Sequence, residues 1–147
     1  SRERKMNAQV AMNDKSGPYD SRYLAGIDYF NRCEFFEAHE VWEDLWVDVE
    51  GPPRTFYQGL IQVAVCLHHF GNGNIRGSRK LYHSSCTYLE PHLPVHQGLD
   101  VEKLIRELTH CCQQFLESDE EYPQAEIEVE KIPEIHLEEN PEPGLIE

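Results

Sequence analysis

Phe35-Phe-Glu-Ala-His-Glu-Val-Trp-Glu-Asp-Leu-Trp46 carries one histidine, four carboxylates, two phenylalanines and two tryptophans. The stretch is little more than three helical turns long. A surface helix has little use for so many large rings, and a core helix has little use for so many acids. A helix that carries both either buries part of its polar face or binds something with it. On a wheel of 100° per residue, Phe35, Ala38, Trp42, Leu45 and Val49 share one face and form a core stripe. Glu37, Asp44 and Asp48 share a second, solvent-side face. His39 and Glu43, spaced i and i+4, lie at the border of the core stripe, and Phe36 and Glu40 lie on the far side. A large ring at Phe36 predicts that the far side is covered too, which would shield His39 and Glu43 from bulk water. A carboxylate so placed needs a partner, because burying it alone costs several kcal/mol.

The surrounding chain supplies the rest of a bundle. Tyr23, Leu24, Ile27 and Phe30 fall at helical spacing over residues 19–32, with Asp20 or Ser21 to cap the start. The second helix, 35–49, is closed by Gly51-Pro-Pro53, which no helix interior tolerates. Residues 54–70 are apolar almost all round, as expected of a central helix, and stop at Gly71-Asn-Gly-Asn74. A fourth helix, 75–90, ends at Pro91. A loop follows, and Asp100 caps a fifth helix over 101–116. Pro123, Pro133, Pro141 and Pro143 exclude another long helix. The alternation of Ile127, Val129 and Ile132 with acids reads as an extended tail lying on the domain. The fold class is therefore all-α: a single-domain bundle of about five helices with an extended acidic C-terminal tail. Its parts are a loose arm over 1–18, a helical domain over 19–118 and the tail over 119–147.

At 147 residues and 39% hydrophobic content, the chain is long enough for a core without staples. The formal charge of -14 is concentrated late, with 12 acids and the single base Lys131 between Glu117 and Glu147. By charge alone that tail reads as a solvated, partly disordered segment. The acidic balance repels a phosphate backbone, so nucleic acid is excluded as a partner. No apolar run reaches the roughly 18 residues that span a bilayer, so a membrane is excluded as well. Cys33, Cys66, Cys86, Cys111 and Cys112 are odd in number and lack C-x-x-C spacing. They read as small buried thiols of a reducing cytoplasm.

The third helix adds a polar stripe of Gln58, Gln62 and His69, with His68 on another face. The short Gly-Pro-Pro link makes helices two and three antiparallel neighbours, so the two unusual faces can meet. Two main readings compete, beside a third in which the acidic tail is regulatory. In the first, Glu37, His39, Glu43, Gln58 and Gln62 form a hydrogen-bonded cluster fixing helix two against helix three in a non-catalytic module, with a homodimer as its assembly. In the second, His39, Glu43 and His68 or His69 bind a divalent metal, zinc by preference, and Glu40 acts as general base. The run His39-Glu40-Val41-Trp42-Glu43 has the layout of the zinc-protease helix H-E-x-x-H, with Glu43 in place of the second histidine. A di-iron carboxylate bundle is not supported, because only Glu107-Leu-Thr-His110 fits its Glu-x-x-His requirement. His83, His92, His96 and His136 read as surface residues. Gly77 reads as an allowance for close helix packing.

Phe30-Asn31, the stretch 35–46, Tyr57-Gln-Gly-Leu-Ile-Gln-Val-Ala64, His68, Gly73-Asn74 and Arg76-Gly77 together resemble the domain of unknown function family 309. The resemblance covers about residues 23–90. It implies a small all-helical bundle, and its members have carried the label of predicted metal-dependent hydrolases. Carried over, that label points to His39, Glu40, Glu43 and Gln62, and to His68.

Overall fold

The computed structural model describes residues 18–138. Four long helices follow one another with tight links: α1 (Ser21–Asn31), α2 (Phe35–Asp48), α3 (Pro53–Gly71) and α4 (Ile75–Leu89). A short 3-10 turn (Glu90–His92) and a two-residue hairpin, β1 (Val95–His96) with β2 (Leu99–Asp100), lead to α5 (Val101–Cys111) and α6 (Gln113–Leu116). The all-α class and the five principal helices are those the sequence predicts. The expected fifth helix is divided at Cys112. The expected arm over 1–18 lies outside the described residues except for Pro18, as does the tail beyond Glu138.

Local chemistry sets the boundaries. Asp20 caps α1, its Oδ1 accepting the Arg22 amide at 2.8 Å. Asp100 caps α5 through the Lys103 amide at 2.9 Å. Pro53 opens α3 at its first turn, where a missing N–H costs nothing. Asn74 caps α4 through the Gly77 amide at 3.0 Å. Gly77 thereby takes a different role from the one expected, because a Cβ there would stand 2.6 Å from Asn74 Nδ2 and disturb the cap. The close helix packing belongs to Gly26, where a Cβ would run into the Trp42 indole, and to Gly59, where it would stand 2.6 Å from the Leu89 side chain.

α3 is the central helix and packs chiefly on α4 and α2. Phe56, Leu60, Val63, Ala64, Cys66 and Leu67 are buried along its length, so its apolar composition follows from neighbours on several sides. α2 buries Phe35, Ala38, Val41, Trp42 and Leu45, which is the expected stripe with Val41 added. The thiols depart from expectation in two places: Cys33 is exposed, at a corner with φ +63°, and Cys86 is half-buried.

Residues 119–138 run over the bundle with one 3-10 turn (Val129–Lys131), and the described part of the tail is pinned rather than solvated throughout. Pro123, Pro133 and Ile135 are buried. The Asn31 side chain donates to the Ile135 carbonyl at 2.8 Å and accepts the Ile135 amide at 2.8 Å. Gln114 donates to the Glu126 carbonyl at 3.0 Å, and the Glu138 amide donates to the Gly98 carbonyl at 2.7 Å. Replacing Asn31 by Ala leaves both Ile135 backbone groups half-buried without their partner. A loss of about 1–3 kcal/mol is expected, read by urea denaturation, with faster amide exchange confined to residues near Ile135. Unchanged exchange there would show that the clamp holds nothing.

Candidate functional site

The meeting of α2 and α3 brings together part of the expected set. His39 donates from Nδ1 to the Phe36 carbonyl at 3.1 Å, which turns Nε2 toward Glu43 Oε2 at 3.6 Å. Phe36 lies between two imidazoles, with ring centroids 5.2 Å from His39 and 5.7 Å from His68. His68 in turn stands 6.2 Å from His69. The two helices therefore present a continuous row of four rings.

The row is more open than the sequence predicts. Phe36 is 46% exposed, so the far side of α2 is not covered among the described residues. The Glu43 side chain is 54% exposed and His39 only 20%. Glu37 and Glu40 are exposed as well. The predicted shielding of Glu43 is thus corrected. The wheel places it at the border of the core, and among the described residues little besides the His39 and His68 rings lies against Phe36, so the border faces water. Gln58 and Gln62 are half-buried on α3, and Gln62 Oε1 is enclosed with no hydrogen-bond partner among the described residues.

The histidines of α3 look elsewhere. His68 Nε2 contacts Asn72 Nδ2 at 3.2 Å, and His69 Nδ1 contacts Asn74 Nδ2 at 3.3 Å. Burial, with His68 nearby, lowers the His69 pKa below the ordinary histidine value. Among the described residues, no three His, Cys, Asp or Glu side chains are gathered closely enough to hold a metal ion. His39 and Glu43 make a two-residue pair, and Glu40 stands one position beyond His39 with its side chain in solvent. His83 and His136 are exposed, as read from the sequence, and so is His110.

A second constellation escaped the sequence reading. His92 is buried and His96 half-buried, not surface residues. The loop after α4, with Leu93–Pro94 cis, folds back over the start of α3. There His92 Nε2 meets Thr55 Oγ1 at 2.8 Å, and the His92 and His96 rings meet edge to face with centroids 4.6 Å apart, each against Phe56. The turn residue Gln97 (φ +49°) is held by two phenols. Tyr23 Oη donates to its carbonyl at 2.9 Å, and Tyr57 Oη donates to its Oε1 at 2.9 Å. Burial pushes both phenol pKa values up, so both remain donors at neutral pH. His-x-x-x-His inside a proline-containing loop is an available local signal, but the return of that loop onto Thr55 and Phe56 is a tertiary event.

No helix among the described residues is long and apolar enough to cross a membrane. Burial lowers the pKa of His92, and burial together with His92 lowers that of His96. Below the ordinary value of 6.5, the unfolded chain therefore binds more protons at these rings than the folded one. Their contribution to stability is intact at neutral pH and is lost as pH falls from that value through the folded values. Urea midpoints are expected to drop between about pH 7 and pH 5, and His96→Phe is expected to make that drop shallower. An unaltered pH slope in the variant would remove the loop histidines from the account.

Residues 23–81, which hold most of α1, all of α2 and α3 and the first half of α4, match the family described as domain of unknown function DUF309. The uncharacterized protein YpuF of Bacillus subtilis (strain 168) is 32% identical over 84 residues, covering 54% of this chain and 47% of YpuF. The chain thus spans about half the length of this curated relative.

Proposed function

Taking the DUF309 match over residues 23–81 as premise, we propose that this chain is a non-catalytic helical module whose outer α2 surface, beside the imidazoles of α3, is a recognition face for another protein. One observation carries the reading: Phe36 is 46% exposed while standing in line with His39 and His68. Burying a phenylalanine is worth about 1.5–3 kcal/mol. A single exposed apolar side chain needs no explanation, but a ring aligned with two imidazoles makes a larger amphipathic patch of the kind that anchors interfaces.

The hydrolase alternative places zinc on His39 and Glu43 with Glu40 as base. The orientation of His39 favours it in part, since an imidazole that donates from Nδ1 to a carbonyl presents Nε2 as its ligating atom, here toward Glu43. A third ligand is wanting, because His68 and His69 are engaged with Asn72 and Asn74, and the residues in place do not fit a three-ligand centre. Elemental analysis of protein kept from chelators and nickel resin is expected to give well under one zinc per chain. Stoichiometric zinc that disappears in His39→Ala would overturn the recognition reading in favour of this one.

Phe36→Ser is expected to leave the helical circular dichroism intact and to shift the unfolding midpoint by no more than a few degrees, as for a surface position. A photocrosslinker at position 36 is expected to give a discrete adduct in source cells that the same group at Val129, also exposed, does not. Equal adducts at both positions, or collapse of the fold in Phe36→Ser, would defeat the proposal.

A further inference from the structure

We infer that the outward ridge of α2 receives a short basic segment with an apolar anchor at each end, supplied by a different protein. The inference rests on the reading of α2 as a recognition face and names what it recognises. Phe36, Glu40, Glu43 and Val47 follow one another at i, i+4, i+7 and i+11, and all four are exposed. At 100° per residue they lie within about 60° of arc, and at 1.5 Å rise they span about 16 Å. The ridge is apolar at both ends, with Phe36 46% and Val47 64% exposed, and acidic between. Glu37 and Asp48 flank it, and α2 contains no lysine or arginine.

Two of these four acids have a basic neighbour within the chain. Asp48 holds Arg22 at 2.7 Å, and Glu43 stands 3.6 Å from His39. Glu37 and Glu40 make no ion pair among the described residues. The complement of such a ridge is apolar, basic, basic, apolar, repeated at helical spacing. Charge decides against a second copy of this chain, since two-fold pairing of the ridge would set glutamates against glutamates. Size points the same way. A ridge about 16 Å long and one helix wide offers roughly 200 Å², whereas a stable interface of globular partners needs about 800 Å² a side. A peptide-sized segment fits.

The test is fluorescence anisotropy of the full chain with a labelled synthetic helix of roughly twelve residues, the length of the ridge. It carries leucine at both ends and arginines at the two positions facing Glu40 and Glu43. Matched peptides carry glutamine or glutamate there. The arginine peptide is expected to bind about tenfold more tightly than the glutamine peptide. Phe36→Ser and the pair Glu40→Lys with Glu43→Lys should each weaken it about tenfold. The pair Glu120→Lys with Glu130→Lys makes the same charge change on the extended segment and should alter affinity less than about twofold. An equal loss in that control would mean diffuse attraction to an acidic protein and would overturn the inference. Glutamine or glutamate peptide binding as tightly, through Phe36, would overturn it while leaving the recognition face standing. Binding by none of the peptides would overturn the inference, and together with equal crosslinked adducts at positions 36 and 129 it would defeat the recognition face as well. Sedimentation showing a dimer dissolved by the α2 lysines would name the second copy as occupant and overturn it as well.

Discussion

The Trp42 indole is the fixed point of this fold. It is fully buried, its Nε1 donates to the Tyr23 carbonyl at 3.2 Å, and it fills the space that the missing side chain of Gly26 leaves on α1. One ring thus sets both the distance and the rotation of α1 against α2. Phe30 packs beside it, with ring centroids 6.0 Å apart. Tyr23 then extends the arrangement outward, reaching the Gln97 carbonyl across the bundle end. The helix carrying Trp42 is held so firmly on its inner face that its outer face is free to be chosen for something other than packing.

That division explains the mixture of rings and acids in the stretch 35–46. Phe35, Trp42 and Leu45 go inward, and Phe36, Glu37, Glu40 and Glu43 remain outside. Trp46 stands between, half-buried, with the Arg54 guanidinium 3.8 Å above its ring. Arg54 also donates to the Trp46 carbonyl at 3.3 Å, so the end of α2 is tied to the start of α3 across the Gly-Pro-Pro link. The polar exterior and the aromatic interior belong to opposite sides of one cylinder. No buried charge is needed to account for either.

Helix positions were legible because they depend on local chemistry. Asp20, Asp100, the Gly51-Pro-Pro53 break and Asn72–Asn74 act within one turn of where they stand, and the helical spacing of Tyr23, Ile27 and Phe30 needs no knowledge of a partner. The candidate site was legible only in part. The i, i+4 pairing of His39 and Glu43 is a property of one helix, and it is present. Whether Phe36 is covered depends on what lies opposite, which a helical wheel does not contain. The burial of His92 was missed for the same reason, since a proline-bounded histidine looks exposed until the loop returns onto Thr55. The tail shows the limit from the other side. Its charge describes the solvent-facing acids correctly but gives no hint that Asn31, far earlier in the chain, imitates a neighbouring strand for Ile135.

The corner between α1 and α2 has a practical corollary. Cys33 projects from a left-handed turn into solvent, whereas Cys66, Cys111 and Cys112 are sealed inside and Cys86 is half-covered. The protein therefore comes with a natural attachment point two residues before Phe35. A fluorophore or spin label coupled there would sit at the head of the α2 ridge, close enough to sense an arriving ligand without any engineered residue.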